Sequence, residues 1–228
     1  MNANTYHNTR QLIVGVSLGT RKLSALAVGL ALVLVPAGPV AYAMELTPLE
    51  SVKSTISAVI RVLNKDEFKQ PGRALERRQE IEQVVRHRVS YEEMAKRALG
   101  PSWSELSDAD RVEFVDLFVQ LLRDTFAGKI DAYTNEQILY LSEHRDAHVA
   151  EVRTRLTGHK MDTSLDFRLA DRTGDWLVYD VVIDGASIVS NYRAQFSSII
   201  RDHGYAGLVE RMKQKTLVVK AFERPDLP

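Results

Sequence analysis

Hydrophobic positions recur along this chain with two different periods, and the switch between them falls at Gln137. Before it the spacing is helical. Thr47-Pro48-Leu49-Glu50 is a capping box with Pro at the first helical position, which predicts a helix running to about Leu63. Lys65 to Gly72 is polar and ends in Pro-Gly, a loop. Arg73 to Val89 predicts a second helix, with Leu75, Ile81, Val84 and Val85 inward and many charges outward. A further capping box, Ser90-Tyr91-Glu92-Glu93, opens a short helix that stops at Gly100-Pro101. Ser107 caps the next one, with Asp108 and Asp110 in the first turn, where the helix dipole favours negative charge. That helix carries Val112, Val115, Phe118, Leu121, Leu122 and Phe126. It is apolar nearly all round at its middle, so burial on more than one side is expected.

After Gln137 the period is two. Ala150, Val152, Thr154 and Leu156 alternate with Val149, Glu151, Arg153 and Arg155; Leu165, Phe167 and Leu169 alternate with Asp166 and Arg168. These are half-buried antiparallel strands, with turns at Gly158-His159 and Thr173-Gly174. Trp176 to Ile183, nearly all β-branched and aromatic, reads as a buried strand ending at a tight Asp184-Gly185 turn. Ser187 then opens a helix whose apolar stripe is Ile188, Val189, Tyr192, Phe196, Ile199 and Ile200, and a last amphipathic helix is expected from about Tyr205 to Val219. Helices, then a meander, then helices predict an α+β fold, with helices packed on one face of a curved antiparallel sheet.

Residues 1–43 stand outside this scheme. Arg21-Lys22 supply positive charge, and Leu23 to Val35 are apolar apart from Ser24 and Gly29. Pro36, Gly38 and Pro39 break the run, and Ala41-Tyr42-Ala43 gives the small-x-small pattern of a cleavage site. This is the layout of a secretory signal; a membrane anchor would need about 20 uninterrupted apolar residues. Cleavage after Ala43 is expected, leaving one domain over 44–228. The leader holds three of the chain's 30 basic residues and none of its 30 acidic ones, so the remainder carries 27 against 30, net −3. That excludes a strongly basic nucleic-acid binder and argues against lasting attachment to anionic lipid surfaces. With no cysteine, an exported domain has no disulfide to hold it and no thiolate chemistry.

Few residues suggest catalysis. Gly185-Ala186-Ser187-Ile188-Val189 resembles a nucleophile elbow until Val189 replaces the needed glycine, so Ser187 reads as a helix cap. His144 and His148 are four apart but flank a strand-to-strand turn and have no evident third ligand, so they read as a surface pair, and no metal is expected. Tyr179 and Asp180 are adjacent on a strand, so one of them can face a pocket, and an Asp or Tyr in an apolar pocket can transfer protons. A structural role is expected for Asp180, accepting hydrogen bonds from backbone or Arg193. Arg73, Arg77, Arg78, Arg86, His87 and Arg88, interleaved with Glu76, Glu80 and Glu82, read as a solvated helix face, with a docking patch as the functional alternative.

The run Trp176, Tyr179-Asp180-Val181, Gly185, Ser187, Asn191-Tyr192-Arg193 and Gln195-Phe196 resembles the signature of the MlaC family, also called the toluene-tolerance family. Its members are periplasmic carriers that move phospholipid between the two membranes of Gram-negative bacteria. The resemblance extends to Ala98-Leu99-Gly100 with Trp103, and to Arg111, Phe114, Phe118 and the 121–127 stretch. It implies a sheet-and-helix domain like nuclear transport factor 2 folds, an apolar cavity holding phospholipid acyl tails, no cofactor and no hydrolysis. It also implies two partners: an inner-membrane MlaD (MCE-type) ring linked to an ABC transporter, and an outer-membrane MlaA-type lipoprotein. A hopanoid carrier of the same family, or a periplasmic cavity enzyme using Tyr179 or Asp180, are the alternatives. Candidates for the cavity wall are Phe114, Phe118, Leu121, Phe126, Val152, Leu165, Phe167, Tyr179, Val181, Ile188, Tyr192 and Phe196.

Overall fold

A computed structural model describes residues 46–70, 72–158, 162–215 and 217. The expected leader lies outside the described residues. Helix α1 (Pro48–Leu63) starts at the expected box: Thr47 Oγ1 accepts the Glu50 amide at 3.2 Å, and the Thr47 amide donates to Glu50 Oε2 at 2.8 Å. The polar loop after it holds a short 3-10 turn, Asp66–Lys69, whose Phe68 is buried against Val62 and Ile81. Helix α2 (Ala74–Val85) ends four residues earlier than the spacing suggests, because Val89 leaves the helical path to bridge Val178. That bridge also overturns the second capping box. Ser90 precedes helix α3 (Tyr91–Leu99), but its side chain caps nothing; instead its amide donates to the Val178 carbonyl at 2.9 Å.

Helix α4 (Asp108–Asp131) is capped by Ser107, whose hydroxyl accepts the Asp110 amide at 3.2 Å. It buries Phe114, Phe118, Leu121 and Leu122, whereas Val112 is 65% exposed, so its first turns are less enclosed than the sequence suggests. The strands β1 (Gln137–Asp146), β2 (Val149–Thr157), β3 (Thr163–Arg172), β4 (Asp175–Ile183) and β5 (Ala186–Ser187) form one antiparallel meander in chain order. Asp184 (φ 48°) and Gly185 (φ 82°) both take left-handed backbone, a turn whose twist matches the strands it joins. Helix α5 (Ile188–Lys213) begins at the Ser187 cap, which accepts the Ser190 amide at 3.0 Å. Gly204, at φ 71°, interrupts it where the last amphipathic segment is expected to start, and the helix stops at Lys213; the expected end at Val219 lies outside the described residues.

The packing divides in two. Between α3, α4 and α5 the rings of Phe114, Phe118, Tyr192 and Phe196 interlock, with Phe118–Tyr192 and Tyr192–Phe196 centroids 5.5 Å apart. On the inner face of the sheet Val52 of α1 meets Ala150, Val152, Leu169, Trp176 and Val178. Each fully buried ring contributes about 1.5–3 kcal/mol by leaving water. The space between the sheet, α1, α2 and α4 is not filled.

Candidate functional site

That unfilled space is a cavity of about 630 Å³, inside the ~300–1,000 Å³ range usual for small-molecule sites. Strand alternation builds its floor. Leu165 and Phe167 of β3 point inward beside Ile138, Leu156, Val178 and Val181. Helical spacing builds its walls: Ile56, Val59, Ile60 and Leu63 from α1, Leu75, Ile81 and Val85 from α2, and Val119, Leu122, Phe126 and Ile130 from α4. Polar residues also reach the wall: Arg78, Gln79 and Glu82 on α2 and Arg123 and Asp124 on α4, with Thr55, Arg88, Tyr91, Tyr133 and Glu136 elsewhere around it.

Four of the twelve candidate residues line this cavity: Phe126, Leu165, Phe167 and Val181. The other eight are elsewhere. Phe114, Phe118, Leu121, Ile188, Tyr192 and Phe196 belong to the close-packed core of α3–α5, where partner side chains occupy the volume a ligand would need. Val152 lies on the inner sheet face but is sealed beneath α1 by Val52. Tyr179 is the extra residue of a bulge, since Arg168 pairs with Asp180 while Leu169 pairs with Val178. The bulge turns its ring toward the α3 side, where the Arg97 guanidinium sits 4.0 Å from the ring centroid. The apolar stripe of α1 was the missed signal. Its helical spacing is plain in the sequence, but nothing local says that it faces a void rather than a neighbour.

Asp180 does not face the cavity. It is 3% exposed and fully engaged: Oδ2 accepts from Ser187 Oγ (2.6 Å) and Arg168 Nη1 (3.1 Å), and Oδ1 accepts the Val189 amide at 3.1 Å. The carboxylate thus sits at the start of α5, where the helix dipole favours it. Its cation is Arg168, not Arg193; Arg193 instead lies over Gly100, whose left-handed backbone (φ 66°) brings the chain within 3.0 Å of the guanidinium at the position of a Cβ. Ser187, which donates to Asp180 and accepts from Ser190, is a cap held in place by that carboxylate. His144 pairs in register with Glu151, and His148 is 3.7 Å from Asp171, on a different strand pair. Burial pushes the Tyr192 phenol up to about 12, partly offset by Thr125 Oγ1 at 2.6 Å, so it stays neutral and serves as a core group.

The basic stretch of α2 is mostly paired. Arg73 meets Glu76 at 2.5 Å, Arg77 reaches Asp131 at 2.7 Å, and Arg78 bonds the other oxygen of the same carboxylate. Arg123 of α4 bonds Glu82. The Arg78 hydrogen bond, helped by Arg77 and opposed by burial, holds the Asp131 carboxyl below the ordinary aspartate range. The stabilisation it gives is therefore complete above the ordinary aspartate pKa and is lost as pH falls through the depressed value.

The fold and site together define an α+β domain built around an apolar cavity. Its relatives give the class a name. The family described as MlaC protein matches residues 53–214, most of the chain, and this protein belongs to the MlaC family. The intermembrane phospholipid transport system binding protein MlaC of Haemophilus influenzae is 24% identical over 132 residues. That match takes in 55% of this chain and 62% of the relative, so less than two thirds of the relative's length is covered. The solved structure of a phospholipid-binding protein from Ralstonia solanacearum, in complex with a phospholipid, superposes with a TM-score of 0.68 at 24% identity, covering 72% of this chain and 94% of that one. This likeness shows a common fold.

Proposed function

We propose that this protein is a periplasmic lipid carrier: it holds phospholipid acyl chains in the cavity between sheet and helices and shuttles lipid between outer- and inner-membrane complexes, maintaining the lipid asymmetry of the outer membrane. The observation that carries the reading is the cavity, about 630 Å³ and walled by aliphatic and aromatic side chains on every element that meets it, in a chain of the MlaC family. The names of the Haemophilus and Ralstonia proteins support phospholipid as the cargo. The energetics explain the need for a carrier. A two-chain lipid exposes roughly 28 methylenes, about 20 kcal/mol gross if released into water, so unaided crossing is negligible. A wall of this composition offsets most of that cost, and a partner that reshapes the cavity at each membrane sets the load free. An MlaD-type ring coupled to an ABC transporter and an MlaA-type lipoprotein are the partners proposed, and the carrier itself performs no chemistry. The engagement of Asp180 with Arg168, Ser187 and the α5 amide supports that last point over a cavity enzyme.

Organic extraction of the washed protein, made in a Gram-negative host and followed by lipid mass spectrometry, is expected to yield stoichiometric phospholipid. A hopanoid in its place would keep the carrier and change the cargo, and repeatedly empty preparations would reject the carrier. The leader is proposed to direct export and to be removed, so the secreted chain should begin at Met44. Finding residues 23–43 in a membrane fraction by N-terminal sequencing would reverse this. Among the described residues no helix is long and apolar enough to cross a membrane.

A further inference from the structure

The charges on the cavity wall are concentrated. Of its six charged residues, Arg78 and Glu82 lie on α2, and Arg123 and Asp124 lie on α4, facing one another along a single seam. The two sides of α2 differ in kind. Toward α1 it packs through Ile81, its one buried residue, against Val62 and Phe68. Toward α4 it adds to the apolar contact of that cluster with Ile130 a set of ion pairs: Arg77 and Arg78 to Asp131, and Arg123 to Glu82. Leu75, in the first turn of α2, is on the cavity wall and yet 69% exposed, so the cavity reaches the surface here. Gly72, just before the helix, has left-handed backbone with open space around it. Arg77 Nε is buried and has no acceptor among the described residues, so even in the closed arrangement the seam is incompletely satisfied.

We propose that the α2–α4 seam is the portal of the cavity, where the cargo's polar head rests and through which cargo enters and leaves, with α2 as a lid clasped there by its ion pairs. The proposal rests on the carrier reading. Partly exposed ion pairs contribute little net stability, so they can part at little cost. Across the aliphatic stretches of the wall a polar head would lose its hydration unrepaid. At the seam, arginines and carboxylates can exchange their partners for the head's phosphate and amine.

The chain has no cysteine, so a reversible link across the seam can be made cleanly. One variant combines Arg78→Cys with Asp131→Cys; a second combines Arg123→Cys with Glu82→Cys, and either that folds decides the matter. Each is joined by a short bis-methanethiosulfonate, which reductant removes, so the unlinked protein is its own control. Uptake of a fluorescent phosphatidylethanolamine from phosphatidylethanolamine–phosphatidylglycerol vesicles is the readout. The linked protein should exchange lipid at least about tenfold more slowly than the same protein after reduction, as expected when a closed lid limits access. Linked and reduced rates within about twofold would overturn the portal, because a lid that cannot open must slow exchange if it covers the only route used. A wild-type protein that takes up no lipid in the same assay would overturn the carrier reading itself.

Discussion

Phe167→Asp is expected to yield a folded protein that carries no lipid. Phe167 is half-buried, on the inner face of β3, and its ring borders the cavity as well as the cluster beneath α1. When the cavity is empty of lipid, water can reach a carboxylate there, so the fold should lose only about 1–2 kcal/mol. An acyl chain lying beside the same carboxylate would meet an unpaired charge with no water to hydrate it, and loading should fail. Phe118→Asp is the matched control. Phe118 has no exposure and is enclosed by Phe114, Tyr192 and Phe196, so its carboxylate has neither water nor partner, and the domain should not fold. Thermal unfolding measured beside lipid content tells the cases apart. Should Phe167→Asp unfold as Phe118→Asp does, Phe167 is ordinary core; should it fold and still carry stoichiometric lipid, the cargo lies elsewhere.

Asp180→Ala should cost about 3 kcal/mol and lower the melting temperature by about 10 °C, with lipid content per folded molecule unchanged. The loss has a definite source. Removing the carboxylate strands the buried Val189 amide and releases Ser187 and Arg168 together, so the turn that carries the chain from β4 into α5 loses its anchor. Arg168 keeps Glu151 at 3.6 Å and is 38% exposed, which limits the penalty for its own charge. A melting temperature unchanged within error would show that the three hydrogen bonds do not hold the junction. Loss of bound lipid without loss of stability would instead put Asp180 in the site.

Much of the fold is legible in the chain because its determinants are local. The Thr47 box, the Ser107 and Ser187 caps, the Asp184-Gly185 turn and the period-two strands each depend on a few neighbouring residues, and each is where the spacing puts it. The failures share one cause. Ser90 is taken from its cap by a bridge to Val178, a residue 88 positions away, and the Tyr179 bulge depends on how β3 pairs with β4. The site is less legible still. Phe118 and Phe126 lie two turns apart on α4, yet one is enclosed by Tyr192 and Phe196 while the other, packed on the edge of that core, also lines the cavity. A sequence states which side chains are apolar; whether partners fill the volume before them is decided only when distant helices arrive.

The separation of the aromatic core from the cavity has a consequence for the working cycle. The rings of Phe114, Phe118, Tyr192 and Phe196 lie outside the cavity wall and form a frame, while α1, α2, the cavity-facing side of α4 and the inner sheet face form the hold. A carrier that depended on its cargo to stay folded would either never let go or fail on each empty return trip. For the proposed carrier this means an unladen trip on an intact frame, and a cargo whose identity can drift by changes in the hold.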